Sequence, residues 1–374
     1  MVKSELASEM TVCLAYFISS HGFGHASRAC AIMAAMHKKQ PRTHFHIFTQ
    51  TPYWFFDEAL TGAFTYHEIV SDVGVAQLSP MQEDLPETLR RLEAFIPFGE
   101  ERLENLARVL DKQGCQAVIC DISPLGIAVG KKAGLPVVLI ENFTWDWIYE
   151  AYLPRFPGFA PFIAMLKDIF QMADVHIQMA PVCQPRKEAK VFSQPASRVP
   201  RTPAAQTRQK LNITPGARTV LLSMGGIPQQ FDFLERLKAF QDVCFIVPGS
   251  TEEMALCDNL ALLPHHSDFY HPDLVAASDV VIGKAGYSTI AEAYHAGIPF
   301  GYVNRSGFRE AEVLEAFIRS ALNGVEIPMQ DFLTGDWGSS LSYLLSLPRV
   351  SRRAPNGADL VADYLLSLNL GYNQ

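Results

Sequence analysis

Residues 11–28 read TVCLAYFISSHGFGHASR. An apolar, β-rich run from Val12 to Ile18 enters a turn with two glycines, and a helical stretch from Ala26 to Lys39 follows. The same rhythm continues with HFHIF before a helical Tyr53 to Leu60, Pro86 to Gln113 before QAVICD, Leu125 to Ala133 before LPVVLI, and Pro161 to Met172 before ADVHIQM. Strand and helix in alternation predict an α/β fold, a parallel sheet with helices on both faces.

Between Pro181 and Pro215 the texture changes to six prolines, a cluster of Arg and Lys and no apolar periodicity, which reads as a connector. The alternation then restarts with RTVLLSM, a helix from Phe231 to Phe240, DVCFIVP, a short helix to Ala277, DVVIG, a helix to Ala296 and IPFGYV. The expected division is therefore 1–180, a connector over 181–216, a second α/β domain over 217–345 and a helical tail over 346–374. In open parallel sheets ligands bind beyond the carboxyl ends of the strands, so the informative residues should follow strands.

Composition bounds the function. A 374-residue chain with 48% hydrophobic and 19% charged residues reads as globular, which excludes fibres, coiled coils and collagen. A net charge of -8 repels phosphate backbones and argues against a nucleic-acid partner. The seven cysteines are scattered, form no Cys-x-x-Cys and read as reduced core residues. The first apolar run is too short to span a bilayer, so the expectation is a soluble, cytoplasmic protein.

Two stretches carry chemistry. In the loop from Ser19 to Arg28, His21, Gly22, Gly24 and His25 stand where a strand meets a helix start, which suits an anion or a developing oxyanion. A neutral His25 there can take a proton from a hydroxyl, or it can cap the turn. His21 and His25 flank a glycine turn and lack a completing carboxylate or thiol, a poor metal site. From Asp279 to Glu292, a buried strand stops at Gly283-Lys284-Ala285-Gly286, and Ser288 and Thr289 open a helix. Free N–H groups there can bind a diphosphate, Lys284 can add charge, and Glu292 can accept ribose hydroxyls; alternatively Ser288 caps and Glu292 complements the helix dipole.

The segment LVAASDVVIGKAGYSTIAEAYHAGIPFGYVNRSGFREAEVL, residues 274–314, resembles the donor-binding region of GT-B glycosyltransferases. It is similar to the peptidoglycan N-acetylglucosaminyltransferases (glycosyltransferase family 28-like). The likeness is closer still to the glycosyltransferase-like amino-terminal part of plant L-arabinokinases, which HGFGHASR and ENFTWDWIY also resemble. The resemblance runs from about Phe17 to about Phe317. It implies two Rossmann-like parallel-sheet domains facing across a cleft. It also implies that Glu292 binds the donor ribose, that Gly286, Ser288 and Thr289 face the diphosphate, and that Arg309 and Glu310 meet the donor sugar. Gly225 and Gly226 would close over the phosphates, Phe269 and Tyr270 would lie by the base, and His25 would face the acceptor. The chain lacks the glycine-serine phosphate loop of the arabinokinase kinase module, so kinase activity does not carry over. It also lacks any Asp-x-Asp pair, so no metal or other cofactor is expected.

Asp121, at the end of QAVICD, can orient His25, bind an acceptor hydroxyl or cap the next helix. Asn142, Trp145 and Asp146 combine an aromatic ring with polar groups, as sugar binding requires, though tryptophans are also ordinary core residues. The stripe Phe162, Met165, Leu166, Ile169, Phe170 reads as core or as a surface for a lipid-linked acceptor. Arg186, Lys187, Lys190, Arg198 and Arg201 are expected to keep the connector solvated, or to attract an anionic head group. The expected function is transfer of a hexosyl or N-acetylhexosaminyl group from a nucleoside-diphosphate sugar, UDP-linked, to a carbohydrate or lipid-linked hydroxyl, with peripheral membrane contact. Two alternatives stay open: a sugar-nucleotide epimerase or hydrolase, and a non-catalytic sugar-nucleotide-binding protein.

Overall fold

The computed structural model describes residues 11–79, 82–225, 231–304 and 307–368. They form two compact units. One holds the chain through Leu78, Glu83–Ala196 and everything from Pro355; the other holds Ser197–Ala354 with the short stretch Ser79–Gln82.

The first unit is built on seven strands: β1 (Cys13–Ile18), β2 (His44–Thr49), β3 (Phe64–Glu68), β4 (Ala117–Asp121), β5 (Val137–Glu141), β6 (Val175–Met179) and β7 (Val191–Ser193). Their order is β3-β2-β1-β4-β5-β6-β7, and every neighbouring pair is parallel. All five residues of β4 and of β5 are buried, as strands covered on both faces must be. Helix α1 (Phe23–Lys39) starts directly after the glycine turn, with Gly22 at φ 71° as its N-cap.

The single helix expected over Pro86 to Gln113 is two, Leu85–Phe95 and Glu100–Lys112. Pro97 lies in the break: it has no N–H to donate, and its ring drives the preceding residue out of the α region. Inside the expected connector, β7 extends the first sheet and a helix forms over Ala204–Lys210. The tail helix over Gly357–Ser367 buries Ala358, Val361, Ala362 and Leu365 in the core shared with α1. A Cβ on Gly357 would lie 1.9 Å from the Gln194 carbonyl oxygen, so the start of that helix sits directly on the backbone beside β7.

The second unit repeats the plan with β8 (Arg218–Ser223), β9 (Val243–Thr251), β10 (Ala255–Cys257), β11 (Leu260–Pro264), β12 (Val280–Lys284), β13 (Phe300–Val303) and β14 (Val325–Glu326). The order is β10-β11-β9-β8-β12-β13-β14, parallel throughout except where β10 meets β11. The helix expected over Phe231 to Phe240 shrinks to one turn, Leu234–Leu237. Phe231 and Phe233 are both buried, a spacing of two that a helix cannot serve.

All seven cysteines are free thiols, but Cys257 is exposed and not a core residue. Among the described residues no helix is long and apolar enough to cross a membrane. Of the Phe-rich stripe, Phe162, Leu166 and Phe170 are buried in the core, and Met165 and Ile169 are partly exposed.

Gly283, paired with Ser223 across β12 and β8, has φ 154°, and a Cβ there would lie 2.0 Å from the Ser223 carbonyl oxygen. Gly283→Ala should destabilise the protein by about 3 kcal/mol or more, because a strained backbone position must also move a neighbouring strand. Gly286→Ala, whose Cβ meets nothing within 4 Å, should cost less than about 1 kcal/mol. Urea denaturation of the two variants checks the contrast.

Candidate functional site

In each sheet one central strand has neighbours reached by opposite crossovers, so the loops leaving the carboxyl ends diverge and open a crevice. In the first unit that point lies between β1 and β4; in the second it lies between β8 and β12.

At the first crevice β1 delivers Ser19 to Gly22 and β4 delivers Asp121 to Ser123. Ile122 stands between the last two with φ 46°, a costly conformation for a β-branched residue, held by a bridge to Ile18. The helix that follows, α2 (Pro124–Lys132), is capped by Ser123, whose Oγ accepts the Gly126 N–H at 3.2 Å. Asp121 is thereby released from capping. Its Oδ1 lies 2.7 Å from His25 Nδ1, and Arg28 closes on both oxygens, Nε to Oδ2 at 2.7 Å and Nη2 to Oδ1 at 2.5 Å. His25 and Arg28 are three apart on α1 and so share a face. Asp121 is completely buried and the other two nearly so. Burial pushes the Asp121 carboxyl up, but the Arg28 charge and the bonds from His25 and Arg28 outweigh it and hold the group below the usual carboxylate range. An ionised Asp121 accepts a hydrogen bond from Nδ1–H, which leaves the lone pair of His25 on Nε2.

Around this dyad the structure assembles rings. Trp145 lies edge-on to His21 at 5.2 Å and 6.3 Å from His25, and stacks on Tyr149 at 6.0 Å. Its indole N–H donates to Asp72 Oδ2 at 2.8 Å. Asp72 is a buried carboxyl pushed up by desolvation, against the lowering effects of Ser19, His25 and Trp145. The sequence reading passed over Asp72 and Arg28, neither of which stands out until the fold brings it to β4 or Trp145. Asn142 and Asp146 are directed elsewhere. The Asn142 amide donates to the Met179 and Pro181 carbonyls, and Asp146, pushed up by burial, has Arg186 at 3.9 Å. A Cβ on Gly24 would meet open space.

At the second crevice, β8 ends at Ser223 before Met224 and Gly225, the latter at φ 74° with the Lys284 side chain beside it. Gly226 lies outside the described residues. β12 ends at Lys284, and α3 (Tyr287–Ala296) begins after Gly286. Ser288 is partly exposed, whereas Thr289 is buried with Oγ1 3.4 Å from Ser223 Oγ. Glu292 is buried, with Oε1 accepting from Arg198 Nε at 3.2 Å and Nη2 at 3.1 Å, and Oε2 2.6 Å from His271 Nδ1. Burial raises the Glu292 carboxyl, yet Arg198 and His271 hold it below the usual range. His271 Nε2 in turn lies 3.3 Å from Ser223 Oγ.

Arg198 overturns part of the expectation of a solvated connector, for it is buried, with its guanidinium 5.1 Å from the Tyr270 ring and that of Arg201 at 4.4 Å. A buried carboxylate in this unit needs a cation, and the connector supplies it. Phe269 packs against the core of the unit. Arg309 is partly exposed and Glu310 buried, both directly ahead of the helix Ala311–Ala321. Among the described residues no group of three His, Cys, Asp or Glu side chains is placed to hold a metal ion.

No family model matches the chain. A curated protein, L-arabinokinase of Arabidopsis thaliana, is 27% identical over 391 residues, covering 98% of this chain but only 35% of its own length. The chain thus spans about a third of that relative. Among solved structures, UGT71G1 of Medicago truncatula complexed with UDP-glucose is 11% identical with a TM-score of 0.62, covering 96% of this chain and 98% of that one. MurG of Acinetobacter baumannii is 13% identical with a TM-score of 0.55, covering 95% and 99%. The fold is GT-B.

Asp121 and Glu292 titrate below their unfolded values of about 4, so the unfolded chain binds more protons there. Their contribution to stability is complete above about pH 4 and lost as pH falls through the folded values. Asp121→Asn leaves Arg28 buried without its charge partner and should cost about 3–5 kcal/mol near pH 7, with the difference from wild type shrinking in acid. Urea titrations across pH check both statements.

Proposed function

We propose that the chain is a glycosyltransferase that moves a sugar, a hexosyl or N-acetylhexosaminyl group, from a nucleoside diphosphate to an acceptor hydroxyl. The observation that carries this reading is the buried His25–Asp121–Arg28 arrangement at a helix start beyond the carboxyl end of β1. Asp121 fixes the imidazole so that Nε2 is the proton-accepting atom. The acceptor oxygen gives its proton to Nε2 and bonds to the anomeric carbon, while the bond from that carbon to the diphosphate oxygen breaks and its electron pair leaves with the nucleotide.

The second unit takes the donor. The start of α3, with Gly286, Ser288 and Thr289, presents N–H groups and hydroxyls to the departing diphosphate, and Lys284 adds a formal charge. Transfer without a divalent cation belongs to the proposal, since the sequence offers no Asp-x-Asp pair to bridge metal and diphosphate. UDP is the proposed carrier, supported by the GT-B neighbour complexed with UDP-glucose. The acceptor, a carbohydrate or lipid-linked alcohol, meets His21 and Trp145 beside His25.

His25→Gln should lower the rate of UDP release from a UDP-sugar and acceptor mixture by about 10²–10⁴-fold, with UDP affinity unchanged in calorimetry. Full turnover in that variant removes His25 as the base. UDP release with no acceptor present would turn the reading toward a hydrolase.

A further inference from the structure

We infer that His271 is a diphosphate-binding residue and that Glu292 acts on the nucleotide through it. This rests on the reading that the second unit takes a nucleoside diphosphate. The resemblance gives Glu292 to the ribose, but the geometry gives both of its oxygens to the protein. Arg198 donates twice to Oε1 and His271 Nδ1 closes on Oε2 at 2.6 Å. The Glu292 side chain is 2% exposed and that of His271 is 28% exposed. A ribose hydroxyl must displace Arg198 or His271 to reach Glu292, whereas a ligand that reaches Nε2 of the imidazole displaces only the Ser223 hydroxyl at 3.3 Å.

The far side of that imidazole faces the phosphate end of the crevice. Nε2 lies 3.3 Å from Ser223 Oγ, and that hydroxyl lies 3.4 Å from Thr289 Oγ1 in the first turn of α3. Ser223 closes β8 two residues before the Gly225 turn, where the Lys284 side chain also lies. An imidazole and two hydroxyls thus meet where β8 ends and α3 begins, with the Lys284 side chain beside the Gly225 turn. This is a donor set for a multiply charged oxyanion and a poor one for a neutral diol. Of the other charged groups nearby, Arg198 is on Glu292, and Asp273 Oδ1 accepts the backbone N–H groups of Arg201 and Thr202 at 2.6 and 3.0 Å. A carboxylate behind Nδ1 fixes the ring plane and, when the anionic ligand binds, balances an imidazolium whose Nε2–H donates to the phosphate oxygen.

The test is calorimetric titration of UDP, UMP and 2′-deoxy-UDP into wild type and into His271→Asn, His271→Gln and Glu292→Gln. An asparagine amide can replace Nδ1 against Glu292 while deleting Nε2, and a glutamine amide reaches toward the Nε2 position. His271→Asn should therefore fold as wild type, checked by thermal melting, and bind UDP about tenfold more weakly or worse, with a smaller loss for UMP. His271→Gln should recover part of that loss. Glu292→Gln should weaken UDP similarly, combine non-additively with His271→Asn and leave the cost of removing the 2′-hydroxyl unchanged. Wild-type UDP affinity in His271→Asn overturns the inference. So does a Glu292→Gln variant that loses its 2′-hydroxyl preference and adds fully to His271→Asn, which restores direct ribose binding. A wild-type protein that binds no UDP removes the donor reading itself, and this inference with it.

Discussion

A carboxylate taken out of water must be neutralised where it stands, and each unit meets that constraint in the same way. Asp121, the last residue of β4, and Glu292, in the second turn of α3, are both buried, each paired with an arginine and with an imidazole Nδ1. Desolvation alone would favour the protonated acid; the guanidinium reverses that, and both groups sit below their usual range. The arginine therefore supplies the charge balance, while the histidine is the member of each trio that can face a ligand. Fixing the ring through Nδ1 makes Nε2 a directed atom, which a surface histidine with free rotation cannot be.

The location follows from topology. A parallel sheet whose order reverses at a central strand leaves a crevice only at its carboxyl edge, so polar groups placed there are flanked by covered strands and yet reachable. Gly22, Gly225 and Gly283 occupy backbone conformations that other residues adopt only under strain, and all three lie at these edges. Ile122 shows the same demand met without glycine: a β-branched residue at φ 46° turns the chain sharply after Asp121, so that Ser123 and not Asp121 caps the next helix.

Much of this was legible in the sequence. Runs such as QAVICD and DVVIG announce strands covered on both faces, and the glycine loops after TVCLAYFI and DVVIG mark where such strands open. The positions of His25, Asp121, Thr289 and Glu292 followed from that reading. Their partners did not, because pairing across long separations leaves no local trace. Arg198 and Glu292 are 94 residues apart, and Arg198 sat in a run whose composition pointed to solvent. Asp72 lies in a stretch without regular structure, and only the placement of Trp145 singles it out. Where local signals failed, the cause was also physical: Pro97 interrupts a helical pattern, and Phe231 and Phe233 bury at a spacing that belongs to extended chain.

The two trios differ in how their arginines are anchored, and the difference bears on what each can do. Arg28 and His25 share one helix face, so the first trio is fixed as soon as α1 docks on the sheet, and its geometry is as rigid as the core beneath it. Arg198 comes from the start of the second unit, outside any helix or strand, and is seated by Tyr270 and by Glu292 itself. Charge balance at Glu292 therefore depends on how that segment lies, whereas charge balance at Asp121 does not. A rigid imidazole suits the proposed step, in which one proton must leave one hydroxyl along one line. A carboxylate whose counter-ion comes from an irregular stretch of chain suits the proposed donor site, which must first hold an anionic ligand and then release it.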